Sequence, residues 1–257
     1  MGRSLVFWPG TQPDPEDEAA AGLPGGAHRT GRLRAGARPL AGSFLVAVQR
    51  PSGVSAVVLA AGGGSRFGGG KLLAEFGGQP LISVVLDNLR GAPIDGIVVV
   101  VGADAHRLRE VCERYGVRTV DNEGWSRGQS TSVLAGLRAC GGETRAAVVL
   151  LGDQPLLGAE VVERLAEAFA RGAKVAVATY GGRRRNPVLF SRGVWPLLEA
   201  ELDGDEGARS VLRRHPGLVV EVPCDEVGDP VDVDTREDLR RLEEMRGTAG
   251  DYKMAEG

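Results

Sequence analysis

The chain has 257 residues, 42% hydrophobic and 25% charged, with a formal net charge of −3. That length holds one large α/β domain or two small ones, and the acidic balance argues against a general nucleic-acid binder, which is usually basic. No apolar run reaches the roughly 20 residues of a membrane span, and residues 1–21 carry Asp14, Glu16, Asp17 and Glu18 rather than a basic stretch leading into an apolar core. Neither membrane association nor a secretory signal is expected, and the expected compartment is the cytoplasm.

The first fifty or so residues are rich in Gly, Pro, Ala and Arg and show no sustained periodicity. They are read as a poorly ordered extension, residues 1–52, with one short apolar stretch at 44–48. A folded domain is expected over 53–246 and a flexible tail over 247–257. Inside the domain, apolar strand-like runs fall at 54–59, 97–101, 118–120, 146–151, 174–179, 187–190 and 218–222. Helical spacing falls between them, at 81–89, 106–115, 130–139 and 160–170. A last helix is expected from about Thr235, where Asp234-Thr235-Arg236-Glu237 offers a capping box. The alternation predicts an α/β fold, a mostly parallel sheet covered by helices on both faces, with ligand beyond the carboxyl ends of the strands. Cys112, Cys140 and Cys224 are far apart and form no Cys-x-x-Cys pair, so they read as reduced thiols rather than a disulfide frame or zinc site.

The first strand runs into Leu59-Ala60-Ala61-Gly62-Gly63-Gly64-Ser65-Arg66-Phe67-Gly68-Gly69-Gly70-Lys71. A strand ending in such a loop presents bare N–H groups, and Arg66 and Lys71 add charge, so the segment suits a polyphosphate. It is not a Walker A loop, because Ser65 stands where the upstream Gly belongs and Leu72 where the hydroxyl belongs. It is not a dinucleotide fingerprint either, since Phe67 or Ser65 falls where a glycine is required; this weighs against a dinucleotide-dependent oxidoreductase.

Further along, Gly152-Asp153-Gln154-Pro155 ends a buried strand on the same rim, placing Asp153 to hold magnesium. Asp232, in Asp229-Pro230-Val231-Asp232-Val233-Asp234, is a candidate second ligand, whereas the helix cap accounts for Asp234. Ser130, after Asn122 and Gly128, is an N-cap by type at a helix start that favours an anion or a base carbonyl. Arg183-Arg184-Arg185-Asn186 is the densest basic run of the domain, read either as a solvated loop or as a site for an anionic substrate. His28, His106 and His215 are scattered and offer no general base.

These segments, in this order, resemble the molybdenum cofactor cytidylyltransferases, within the MobA-like nucleotidyltransferase superfamily. The resemblance is carried by the glycine loop through Arg66, Gly68 and Lys71, by Asn122, Trp125, Gly128, Ser130, Ser132 and Gly136-Leu137, and by Gly152-Asp153-Gln154-Pro155. It continues through Asn186-Pro187-Val188-Leu189-Phe190, Gly204-Asp205-Glu206-Gly207-Ala208-Arg209 and Asp232-Val233-Asp234-Thr235. Phe67 stands where that family commonly has Met, and Arg185-Asn186 where it has Gly-His or Gly-Asn. The resemblance implies a three-layer α/β/α Rossmann-like fold with a mostly parallel mixed sheet. It implies transfer of CMP from CTP to the phosphate of a molybdenum-bearing pterin, with Mg2+ on Asp153 and Asp232, and a molybdoenzyme as receiver of the product. Arg66 and Lys71 would neutralise phosphate charge, beside Asp153 as the third catalytic residue. Leu59, Ala60, Ala61, Gly62, Gly63, Ser65, Asn122, Gly128 and Ser130 would bind the nucleotide, and Arg184, Arg185 and Asn186 the acceptor. Other readings are guanylyl transfer, transfer to a sugar or polyol phosphate, and a non-catalytic nucleotide-binding chaperone.

Overall fold

The computed structural model describes residues 52–254, with side chains described to residue 246. The expected N-terminal extension, bar its last residue, lies outside the described residues. In chain order the elements are β1 (Val54–Ala60), β2 (Glu75–Phe76), β3 (Gln79–Pro80), α1 (Leu81–Asn88), β4 (Gly96–Val101), α2 (Ala105–Arg114), β5 (Arg118–Asp121), α3 (Gln129–Ala139) and β6 (Ala146–Leu151). They continue with α4 (Ala159–Ala170), β7 (Val175–Tyr180), β8 (Arg183–Ser191), α5 (Trp195–Glu201), α6 (Arg209–Arg214), β9 (Val219–Pro223) and α7 (Arg236–Met254). Helix α7 thus continues past the boundary expected at 246.

Seven strands form one sheet in the order β5-β4-β1-β6-β8-β7-β9. β1 lies parallel to β4 and β6, β4 to β5, and β7 to β9, while β8 is antiparallel to β6 and β7. The exception is local in origin. Gly181 and Gly182, at φ 56° and 68°, form the two-residue turn that joins β7 to β8, and two positive φ values are what a tight hairpin needs. The fold is the mixed, mostly parallel α/β sheet that the alternation predicts.

Every residue of β1 and β6 is buried, as central strands covered on both faces require. The period of two divides β1 between two apolar layers. Ala56 and Val58 pack with Ile82 of α1, Leu108 of α2, Leu165 of α4 and Leu242 of α7. Val57 and Leu59 pack with Leu137 of α3, Leu198 of α5 and Leu212 of α6. At Gly136 helix α3 lies so close to the sheet that a Cβ there would run into Val57 Cγ1 and Val100 Cγ2.

The sequence pattern misses β2, β3, α5 and α6, each too short for a periodicity to accumulate. One expected loop is a strand. Arg183, Arg184 and Arg185 belong to β8 and pair with Tyr180, Thr179 and Ala178. Between Arg185 and Val188 the register slips, leaving Asn186 and Pro187 as a bulge.

Candidate functional site

Leu59 of β1 and Leu151 of β6 are register partners, so the glycine loop and Gly152-Asp153 leave the sheet at one level. The Gly152 N–H donates to the Leu59 carbonyl at 3.0 Å and fixes that rim. Above it opens a cleft of about 420 Å³.

The loop is shaped by its own turns. The Gly64 carbonyl accepts N–H bonds from Phe67, Gly68 and Gly69 at 2.9, 3.1 and 3.1 Å. Phe67 is buried in the core below, with the Arg236 guanidinium 4.9 Å from its ring centroid. The N–H groups of residues 62–66 donate to no acceptor among the described residues. A row of free donors at the end of a parallel strand is an anion cradle.

Two cations overhang it. Lys71 Nζ donates to Asp153 Oδ2 at 2.5 Å and lies 3.7 Å from Asp234. Arg66 makes a two-pronged pair with Asp234, at 2.8 and 3.0 Å. The Arg66 side chain is 45% exposed, and exposed pairs are worth about 0–1 kcal/mol, so this pairing costs little to break.

Asp153 and Asp232 are far apart in sequence but meet because the Val233 N–H donates to the Asp153 carbonyl at 3.0 Å, laying 232–234 beside the β6 rim. Gln154, 2% exposed, completes the junction. Its Nε2 donates to Asp232 Oδ1 at 2.7 Å and to the Pro230 carbonyl at 3.0 Å. Asp153 Oδ1 and Gln154 Oε1 are buried without a partner among the described residues. Burial first, and the charges of Asp153 and Asp234 next, push the Asp232 carboxyl above the usual carboxylate range, against the Gln154 bond and Lys71.

A cation suits this cluster: it has an orphaned carboxylate oxygen and an excess of negative charge. Among the described residues no group of three His, Cys, Asp or Glu side chains could hold a metal. Two carboxylates with the remaining positions left to phosphate oxygens and water is the donor set magnesium ordinarily takes. The residues therefore fit an open divalent-ion site of two carboxylates rather than a closed structural site.

Of the expected residues, Leu59, Ala60, Ala61, Gly62, Gly63, Ser65, Arg66, Lys71, Gly128, Asp153 and Asp232 line the cleft together. Asn122 and Ser130 are buried in the wall behind it. Asn122 Nδ2 donates to Thr131 Oγ1 and Ser132 Oγ at 2.8 and 2.9 Å, tying the end of β5 to α3. Gly128 takes the N-cap position expected for Ser130. At φ 121°, and with a Cβ there falling 2.5 Å from the Gly204 carbonyl, only glycine fits. Ser130 instead donates its N–H to Gly204 O at 3.2 Å. Arg184 pairs with Glu221 at 2.6 Å, and Asn186 lines a small apolar recess beside the cleft.

Asp234 needs the clearest correction. The box that starts α7 is Thr235 with Asp238: the Thr235 N–H and hydroxyl reach Asp238 Oδ2 at 2.8 Å, and the Asp238 N–H reaches Thr235 Oγ1 at 3.1 Å. Asp234 is thereby released to the cleft, where it binds Arg66. Thr-x-x-Asp, one residue along from the expected box, is the signal that locates it. Asp205 and Arg209 also line the cleft, both within the motif Gly204–Arg209, where no single residue stood out.

Fold and cleft together define a nucleotide-triphosphate-handling α/β protein: a phosphate cradle and two cations beside a pair of carboxylates, at the carboxyl rim of a mostly parallel sheet. The MobA-like NTP transferase domain matches residues 56–219, and the chain belongs to that family. It is 34% identical over 200 residues to nicotine blue oxidoreductase of Paenarthrobacter nicotinovorans, covering 74% of this chain and 96% of that one. It is 31% identical over 212 residues to the molybdenum cofactor guanylyltransferase of Ralstonia nicotianae, covering 76% and 98%. The crystal structure of Rv0371C from Mycobacterium tuberculosis in complex with manganese superposes with a TM-score of 0.63 at 30% identity, over 75% of this chain and 99% of that one. Among the described residues no helix is long and apolar enough to cross a membrane.

Proposed function

We propose that the protein transfers CMP from CTP to the terminal phosphate of a molybdenum-bearing pterin in the cytoplasm, releasing pyrophosphate and giving the cytosine dinucleotide form, which then passes to a molybdoenzyme. The observation that carries this reading is the unpaired N–H row of residues 62–66, facing Lys71, Asp153 and Asp232 across one cleft. The choice of cytidine rests on the Gly-Asp-Gln-Pro and Gly-Asp-Glu-Gly-Ala-Arg motifs.

In this reading an oxygen of the acceptor phosphate attacks the α-phosphorus of CTP, a P–O bond forms, and the α–β bridging bond breaks, its electron pair leaving with pyrophosphate. The attacking oxygen is already anionic, so no general base is required. That agrees with the cleft lining, which contains no His or Cys among the described residues. The loop N–H groups hold the triphosphate, and Arg66 and Lys71 exchange their carboxylate partners for phosphate oxygens as charge develops on the leaving group. Leu59 and Ala60 border the ribose and base, while Asn122 and Ser130 keep the opposite wall in register. Asp153 and Asp232 would hold Mg2+, which when bound draws electron density from the phosphate oxygens.

Pyrophosphate release measured with each of the four NTPs, Mg2+ and the molybdenum-bearing pterin tests the proposal. Release with CTP and not GTP is expected; release with GTP alone moves the chain to guanylyl transfer, the activity named for the Ralstonia relative. The full-length similarity to an enzyme named as an oxidoreductase favours one second reading, electron transfer to a dye from a dinucleotide held in the same cleft. Oxidation of a reduced nicotinamide dinucleotide with a quinonoid dye, and no pyrophosphate from any NTP, would select it.

A further inference from the structure

Arg209 begins α6 and enters the cleft from the α3–α5–α6 side of the sheet, whereas Phe67 and Leu72, which anchor the glycine loop, pack on the other side. Its environment differs from that of the other cleft cations. Arg66 and Lys71 have a carboxylate at 2.8 and 2.5 Å. The half-buried Arg209 guanidinium makes no hydrogen bond or ion pair among the described residues, although it carries five N–H donors.

The two carboxylates nearest in effect are Asp232 and Glu206. Both are engaged elsewhere: Asp232 Oδ1 accepts from Gln154, and Glu206 binds Arg213 at 2.5 Å. Burial is what chiefly holds the Arg209 pKa below its ordinary value, against the pull of Asp232 and Glu206, and the like charges of Arg185 and Arg213 lower it further. A partly desolvated guanidinium among like charges, with its donors idle, is a site short of an anion.

Its backbone is held in place. Gly128 and Gly204 are in van der Waals contact across the wall, and the Ser130 N–H bonds the Gly204 carbonyl. The Arg209 N–H bonds the Glu206 carbonyl at 3.2 Å, and Val211 and Leu212 are buried beneath. The position is also informative. Arg209, Asp232 and Lys71 line one cleft with the glycine loop, so Arg209 shares that cleft with the phosphate cradle.

We propose that Arg209 anchors a second anion subsite, one that takes the phosphomonoester of the acceptor and is distinct from the loop that takes the nucleotide triphosphate. This rests on the transfer reading above. The guanidinium grips two oxygens of the phosphomonoester and leaves the third to attack the α-phosphorus; that P–O bond forms, the α–β P–O bond breaks, and pyrophosphate departs with the electron pair. Arg209 neither gives nor takes a proton.

The test uses the full chain and Arg209→Gln and Arg209→Lys variants. With CTP, Mg2+ and the molybdenum-bearing pterin, Arg209→Gln is expected to raise the acceptor KM about 10- to 100-fold, the worth of a charge-assisted bidentate contact. The CTP KM should stay within about twofold, and Arg209→Lys should fall between. Independently, orthophosphate added to the wild-type protein in the presence of CTP and Mg2+ should shift the Arg209 Nε–Hε resonance, assigned by its loss in Arg209→Gln. An unchanged acceptor KM, an equal rise in both KM values, or an unmoved resonance overturns the subsite. If the wild-type protein releases no pyrophosphate, the transfer reading fails, and the orthophosphate shift alone decides whether Arg209 binds an anion. If Arg209→Gln does not fold, Arg209→Lys and the wild-type resonance, assigned from Arg209→Lys, give the answer.

Discussion

The wall formed by residues 61–71 and the wall formed by Gly128, Gln129 and Arg209 face the same cleft but are held by different means. The first hangs from the central strand β1, is braced by three bonds to one carbonyl, and offers backbone donors. The second is carried by short α6 and by a glycine-to-glycine contact, and it offers side chains. Backbone donors bind any polyphosphate, whereas side chains on short elements change without disturbing the sheet. On the proposed reading, the division means that the triphosphate end of the reaction is set by the architecture and the acceptor end by a few replaceable residues.

The sharpest way to break this comparison is at the carboxylate that faces the first wall, paired with Lys71. Asp153→Ala is expected to lower pyrophosphate release about a thousandfold or more while leaving the thermal midpoint within a few degrees, measured by coupled assay and calorimetry. Undiminished turnover would remove Asp153 from the chemistry. Next is the junction between the walls. Gln154→Leu removes the donor that fixes Asp232 Oδ1 and should weaken Mn2+ binding about tenfold, read from the free-ion electron paramagnetic resonance signal. Unchanged Mn2+ affinity would leave Gln154 a filler.

A third experiment loads the contact between α3, which carries Gln129 of the second wall, and the sheet. Gly136→Ala forces a methyl against Val57 and Val100, and overpacking of this kind costs about 1–3 kcal/mol. The thermal midpoint should fall by several degrees, with the acceptor KM rising more than that for CTP. The smallest effect compares the two apolar layers. Burial raises the thiols of Cys112 and Cys224 on one side, and of Cys140 on the other, to about 11. At pH 8 about 0.1% of each is thiolate, so a disulfide reagent should label none of them quickly below denaturing conditions, and labelling should accelerate as pH rises toward 11. Rapid labelling of Cys140 alone would mean that the second wall opens.

The sheet was legible because its strands are continuous apolar runs of ordinary length, and a strand buried on both faces cannot hide its composition. The phosphate cradle was legible for a related reason, since glycines after such a strand have few other uses. What escaped depends on contacts across the chain. Ser130 has the chemistry of a cap, but Gly204, distant in sequence, makes glycine obligatory at 128 and moves the helix start. Asp234 and Thr235 are both good caps on paper, and the reciprocal bonds between Thr235 and Asp238 decide for Thr235. Arg184 and Arg185 looked like a loop because charge is rare within sheets; a hairpin of two glycines placed them on a strand near the sheet's edge.

The bond from Val233 to Asp153 has a consequence for how the protein is made. During synthesis the glycine loop, Lys71 and Asp153 leave the ribosome long before residues 232–234. A nascent chain that has reached α6 owns a phosphate cradle and one carboxylate but neither Asp232 nor Asp234. Lys71 then has Asp153 as its acidic neighbour while Arg66 waits for Asp234. Translation order makes the glycine loop early and the completed acidic cluster late, so on the proposed reading a divalent ion finds both its carboxylates only once residues 232–234 lie against the rim.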